Sequence, residues 1–261
     1  MIPKLIHYCW LSDDLIPESL QKCMSSWEKQ LPGYEFVLWN FKRFPRGTSQ
    51  WVDEAFDRKK YAFAADYIRL YALYNYGGIY LDMDVEVLKD FSPFLDLKTM
   101  MCWQNHHPGL EVAAFGVEKY SQWVKSCLDY YDGKSFVNEN GLFNMEPLPD
   151  VIEKHLKECH FELCDVETID EAKNAEKNNT IPVFAYDYFS PKSYKSGEIS
   201  VSSNTYCIHH FAGSWLVETP LQSLEKKIWN LVGVKNLNLY GKIQYKVFKP
   251  ISRLFVKKKD S

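Results

Sequence analysis

The stretch from Lys59 to Leu88, KKYAFAADYIRLYALYNYGGIYLDMDVEVL, constrains this chain more than any other. Its first half carries Ala62, Ala65, Tyr67, Ile68, Leu70, Tyr71, Ala72 and Leu73 at spacings of three and four, the pattern of a buried helix. Asp66 and Arg69 interrupt that pattern three residues apart, so they share a helix face one turn from each other. Gly77-Gly78 supplies the backbone freedom for a tight reversal. Ile79, Tyr80 and Leu81 then form a short β-prone run. Asp82 and Asp84 stand at i and i+2 where that strand leaves its sheet. Burial of the apolar run drags these carboxylates toward low dielectric, where unpaired charge is costly. The conflict points to a cation at Asp82-Met83-Asp84, and hard oxygen ligands suit Mg²⁺ or Mn²⁺.

The remaining sequence bounds the answer. The 261 residues suit one large or two small domains, with enough apolar residues to bury a substantial core. A formal net charge of −3 implies no nucleic acid or other polyanion as partner. Aromatic residues make up 16% of the chain, enough for stacking against flat rings or sugar faces, although core filling accounts for them equally well. The seven cysteines form no C-x-x-C pair, which fits reduced thiols better than a disulfide framework or a zinc site. The amino-terminal run MIPKLIHYCWLSDD enters a strand-like segment without the apolar core of a secretion signal. No segment has the length and apolarity of a membrane span. A cytoplasmic protein is the expectation.

In chain order, the pattern predicts a strand over 2–10, a helix over 17–30, a strand over 34–39 and a short helix over 50–58, ahead of the helix–Gly-Gly–strand unit. Strands alternating with helices imply an α/β fold with a largely parallel sheet. Further strands are expected over 99–104 and 112–117, as antiparallel partners, and over 161–166 and 205–211. Helices are expected over 120–131, 150–159 and 221–232. The charged run 170–179 reads as a solvated surface segment. No repeat or linker divides residues 1–232. From 233 to 261 the composition changes, and between 235 and 259 basic residues alternate with Tyr240, Ile243, Val247, Ile251 and Leu254 at helical spacing, interrupted by Pro250. This basic amphipathic tail suits either a packing helix or peripheral contact with an anionic membrane on its inner face.

Each site candidate has an ordinary alternative. A D-x-D triplet arises by chance as two turn carboxylates, but its place after Gly-Gly-Ile-Tyr-Leu sets it apart. Asp66 and Arg69 could be a surface ion pair of a few tenths of a kcal/mol. Their apolar helix argues that they line a cleft, where Arg suits a phosphate and Asp a sugar hydroxyl. Trp10 ends the first strand, at the carboxyl edge where α/β sheets bind ligands, unless it is a core residue. His209 and His210 point to opposite faces of a strand, so one of them can join a metal while the other packs or meets water. Ser214-Trp215 after Gly213 could close over a phosphate or form a simple turn.

Four segments in the same order, IPKLIHYCWL, SWEKQLPGYEFVLWN, AFAADYIRLYALYNYGGIYLDMDVEVL and IHHFAGSW, resemble glycosyltransferase family 32. The resemblance spans residues 1 to about 216 and is strongest from Lys59 to Leu88. It implies a GT-A fold, a Rossmann-like mixed sheet with flanking helices. It also implies a nucleotide-diphosphate-sugar donor, a divalent metal (usually Mn²⁺) and retention of configuration. By the same resemblance, Trp10 stacks on the donor base, Asp66 holds ribose or sugar hydroxyls, Arg69 reaches the sugar and diphosphate, and Tyr80 lies near the phosphates. Asp82 touches ribose and the metal's water shell, Asp84 binds the metal, His209 is preferred to His210 beside it, and Ser214 and Trp215 complete the donor site. Ala65 departs from the pattern, since relatives often carry Ser there. The segment from His106 to Tyr194 matches only loosely, which leaves the acceptor unspecified.

These residues lead to a metal-dependent, retaining glycosyltransferase that moves a hexose, from a UDP-sugar by preference, to a saccharide or lipid-linked acceptor in polysaccharide or capsule synthesis. Two alternatives stand beside it. Asp82-Met83-Asp84-Val85 also fits the D-x-D-x-[TV] element of haloacid-dehalogenase-like phosphohydrolases, with Asp82 as nucleophile. That element normally closes the first strand of its domain, whereas a full α/β unit precedes it here. The other alternative is a non-catalytic binder of sugar nucleotides.

Overall fold

The computed structural model describes residues 1–105, 109–176 and 179–212, which lie in one unit, Met1–Ala212. Ser214, Trp215, the helix expected over 221–232 and the basic stretch 235–259 fall outside the described residues.

The amino-terminal half is an alternating series: β1 (Leu5–Cys9), α1 (Glu18–Gln30), β2 (Glu35–Trp39), α2 (Gln50–Asp57), α3 (Tyr61–Tyr76) and β3 (Gly78–Leu81). Next come β4 (Val85–Val87), β5 (Thr99–Met100), β6 (Ala114–Val117), α4 (Gln122–Asp129), α5 (Leu148–Glu158), β7 (Glu162–Val166), α6 (Ile169–Ala175), β8 (Thr180–Phe184) and β9 (Cys207–His209).

Five strands form the main sheet in the order β2-β1-β3-β6-β5. β1 runs parallel to both β2 and β3, whereas β6 is antiparallel to both β3 and β5. The sheet is therefore mixed, as the family resemblance implies and with the antiparallel partners expected over 99–104 and 112–117; only the largely parallel sheet read from the alternation of strands and helices is corrected. The connections explain the change. A helix crossover allows parallel return, and each of the first two joins carries one or more helices, while β5 and β6 pair antiparallel across residues 101–113, which carry no helix among the described residues. Two small sheets, antiparallel β4-β9 and parallel β7-β8, complete the unit.

Strand alternation divides the interior between two faces. Tyr80 faces a core built with Ile68, Leu70 and Leu73 of α3 and with Trp123 and Val151 from α4 and α5. Ile79 and Leu81 point the other way, into a core shared with Leu20 and Trp27 of α1, Phe94 and Phe184. The result is a three-layer α/β/α arrangement. Trp27 locks α1 to the β4-β9 sheet by donating from Nε1 to the Val85 carbonyl at 2.7 Å.

The break between α3 and β3 depends on its glycines. Gly77 and Gly78 have φ of +66° and +106°, values that L side chains rarely adopt. A Cβ on Gly77 would lie 2.6 Å from the Lys119 nitrogen, and one on Gly78 would lie 2.7 Å from the Leu5 carbonyl oxygen. The buried His7 reinforces the turn: Nε2 contacts the Gly77 oxygen at 2.8 Å and Nδ1 accepts from Trp39 Nε1 at 3.1 Å. Burial pushes the His7 pKa down to about 4, so the ring is neutral and can both donate and accept.

Within the charged run 170–179, residues 170–175 belong to α6, and most of their side chains are exposed as expected of a solvated surface segment. Thr168 caps α6, Ala172 is buried, and the Glu176 carboxylate accepts from the backbone N–H groups of Lys98 and Thr99. Its charges serve as caps for neighbouring backbone, which charge density alone does not reveal. Among the described residues, no helix is long and apolar enough to cross a membrane.

Candidate metal and sugar-nucleotide site

The parallel pairing of β1 with β3 brings Trp10 and Asp82 to the same carboxyl edge of the sheet. Here β3 ends in a turn in which the Asp82 N–H donates to the Ala113 carbonyl at 2.8 Å and Val85 N–H donates back to the Asp82 carbonyl at 3.0 Å. Both D-x-D carboxylates thus occupy a fixed backbone rather than a free loop.

Helix α3 delivers Arg69, which is only 4% exposed. Its Nη2 lies 3.2 Å from Asp66 Oδ1 and 3.2 Å from Asp82 Oδ1, while Nη1 donates to the Val112 carbonyl at 2.6 Å. The guanidinium sits 4.4 Å above the Tyr80 ring, a cation–π contact. Burial lifts the Asp66 carboxyl to about 6; Arg69 opposes the rise and Asp82 adds to it. Burial also raises Asp82, again against Arg69 and with Asp84 contributing. Tyr80 is 1% exposed beneath Arg69 and hydrogen-bonds to Asp82, so its influence on a donor passes through those two side chains.

Strand β9 supplies the third group. Its antiparallel register with β4 pairs His209 with Val85, next to Asp84, and the His210 N–H donates to the Asp84 carbonyl. His209 Nε2 lies 3.6 Å from Asp84 Oδ2, and its Nδ1 lies 3.2 Å from Glu111 Oε2. His210 turns to Glu86, at 2.8 Å. Asp84 also accepts from the Ala212 N–H at 2.7 Å. Burial alone would raise Asp84, but the nearby His209 ring and the Ala212 N–H outweigh it and bring the carboxyl down to about 2. His209 moves the other way. Burial would lower it, yet Glu111 and Asp84 hold it up at about 10.

Asp82, Asp84 and His209 offer one ligand atom each, all within 4.8 Å of one another. Four carboxylates, those of Asp66, Asp82, Asp84 and Glu111, surround one guanidinium and one imidazole. The excess of negative charge, with oxygen donors and one imidazole nitrogen, is chemistry that fits a divalent cation such as Mn²⁺ or Mg²⁺.

Trp10 is partly exposed, and its Nε1 donates to the Asp14 carbonyl at 3.0 Å, which fixes the ring beside the loop after β1. Glu111 was not singled out from sequence. A usable signal existed, a lone acid in the apolar run Leu110 to Val117, the same kind of interruption that exposed Asp66 and Arg69.

The mixed sheet with an Asp-x-Asp turn at its carboxyl edge defines a GT-A-type domain. Residues 17–115 match the family described as a glycosyltransferase sugar-binding region containing a DXD motif. The match includes Asp66, Arg69, Tyr80, Asp82, Asp84 and Glu111, and it stops short of Trp10 and His209. Among curated relatives, inositol phosphoceramide mannosyltransferase 3 of Schizosaccharomyces pombe is 37% identical over 98 residues, 36% of this chain and 27% of the relative. Inositol phosphoceramide mannosyltransferase 1 of the same organism is 32% identical over 107 residues, 38% of this chain and 33% of the relative. The chain thus matches only about a third or less of the length of these relatives. A solved structure titled PaToxG glycosyltransferase aligns over 60% of this chain and 69% of its own, with a TM-score of 0.45 and 19% identity.

Proposed function

We propose that the chain is a metal-dependent, retaining glycosyltransferase that moves a hexose from a nucleotide-diphosphate sugar to a saccharide or lipid-linked acceptor. The observation that carries this reading is the meeting of Asp82, Asp84 and His209 from two distant segments, beside a buried arginine, within a DXD-family region. A UDP-sugar remains the expected donor. The mannosyltransferase and ceramide wording in the relatives' names supports testing a mannosyl donor and a lipid-linked acceptor alongside it.

In this reading Asp82, Asp84 and His209 hold Mn²⁺ or Mg²⁺. A cation bound there supplies charge neutralisation for the departing nucleoside diphosphate. Arg69 holds Asp66 and Asp82 in fixed orientation and adds positive charge behind them. Asp66, shifted to about 6 and 13% exposed at its side chain, accepts from sugar or ribose hydroxyls. Trp10 stacks on the base. Acceptor attack on the face that the leaving group occupies needs no protein base. The basic stretch 235–259 holds a cytoplasmic enzyme against an anionic membrane face where lipid-linked acceptors are presented.

The deciding experiment incubates the chain with UDP-Gal, UDP-Glc, UDP-GlcNAc and GDP-Man, with Mn²⁺ or with EDTA, and follows thermal shift and nucleotide release. One donor should stabilise the protein and release its nucleotide only with metal. Release unaffected by EDTA, or no response to any donor, would overturn the proposal.

A further inference from the structure

Glu111 has no exposed surface, yet it lies at the edge of the proposed metal site. Its Oε1 accepts from the Ala113 N–H at 2.8 Å, and its Oε2 accepts from the buried Ser190 hydroxyl at 2.6 Å. The same Oε2 meets His209 Nδ1 at 3.2 Å. A buried carboxylate is expensive to desolvate, and a neutral amide could serve both the Ala113 N–H and the Ser190 hydroxyl. The partner that calls for an anion is the His209 ring. Two donors anchor Glu111, the Ala113 N–H two residues along its own segment and the distant Ser190 hydroxyl, so the carboxylate can orient the imidazole rather than follow it.

We propose that Glu111 is a positioning residue that keeps the His209 proton on Nδ1 and aims Nε2 at the Asp82–Asp84 pair. The inference rests on the metal reading above. An imidazole ligates through the nitrogen that carries no proton, and the hydrogen bond at its other nitrogen decides which one that is. Ser190 and the Ala113 N–H fix the carboxylate, the carboxylate fixes the ring, and the β4–β9 register brings the ring to Asp84. Substitution by Gln turns this round. If its single oxygen takes the Ala113 N–H, its amide donates toward Nδ1 and drives the histidine proton onto Nε2.

The test titrates Mn²⁺ alone into wild type, Glu111→Gln and His209→Ala, with bound metal read by electron paramagnetic resonance. Glu111→Gln should raise the Mn²⁺ Kd roughly 10–100-fold, the usual effect of losing such a partner. A Kd within about threefold of wild type, with His209→Ala impaired, would overturn the role of Glu111 alone. No Mn²⁺ binding by wild type would remove the metal reading and this inference with it. A second measurement needs no variant: ¹⁵N histidine spectra of wild type with Mg²⁺ should show His209 protonated at Nδ1. Protonation at Nε2 would refute the assignment even if Glu111→Gln does not fold.

Discussion

Replacing Arg69 with Met separates what the guanidinium does for folding from what it does for the site. Methionine keeps much of the side-chain volume but leaves Asp66 and Asp82 without their shared partner and the Val112 carbonyl without its donor. Removing one partner of a buried ion pair costs about 3–5 kcal/mol. For a domain of this size that is a fall in Tm of roughly 6–20 °C. The cost depends on pH in a direction that can be worked out. The folded pKa of Asp66, about 6, lies above its unfolded value of 3.8. Its contribution to stability is therefore fully present below 3.8 and is lost as pH rises through about 6, some 3 kcal/mol in all. Arg69 opposes that rise, so without it the carboxyl climbs further and the loss grows. The gap in Tm between wild type and Arg69→Met should then be wider at pH 8 than at pH 5, measured by circular dichroism without metal. A gap under about 3 °C at pH 8, or equal gaps at both pH values, would refute the assignment of Arg69 as the charge that holds these carboxylates.

Three further outcomes follow from the same geometry. Asp84→Asn and Asp82→Asn should each lower metal-dependent nucleotide release at least about 100-fold. Their circular dichroism spectra should stay native, and full release by either would remove it from the site. Gly78→Ala should destabilise the fold by roughly 1–3 kcal/mol in denaturant melts, because φ of +106° and a 2.7 Å approach to Leu5 exclude a Cβ. An unchanged midpoint would mean that the break can shift. Trp10→Ala should raise the donor KM by roughly 5- to 150-fold while kcat changes less, as expected for the loss of one stacked base. A fall in kcat at constant KM would place Trp10 elsewhere.

Much of the site was legible because charge is conspicuous in apolar surroundings. Asp66 and Arg69 stood out in α3, and the structure buries Arg69 and pairs the two. Gly77-Gly78 announced the reversal, and the close approaches of Lys119 and Leu5 supply its reason. Glu111 obeyed the same logic and was overlooked, since its partners Ser190 and His209 lie 79 and 98 residues away. The capping role of Glu176 was likewise hidden, because it depends on contact between distant segments.

Local periodicity therefore determined α1 to α5 and the D-x-D turn, for these depend on neighbours a few residues apart. The sequence could say that His209 and His210 face opposite ways, and a family motif favoured His209. Only the β4–β9 register places His209 at Asp84 and Glu111 and turns His210 toward Glu86. A slip of one residue in that pairing would exchange the two rings, because side chains alternate along a strand while register is set by contacts across the whole fold.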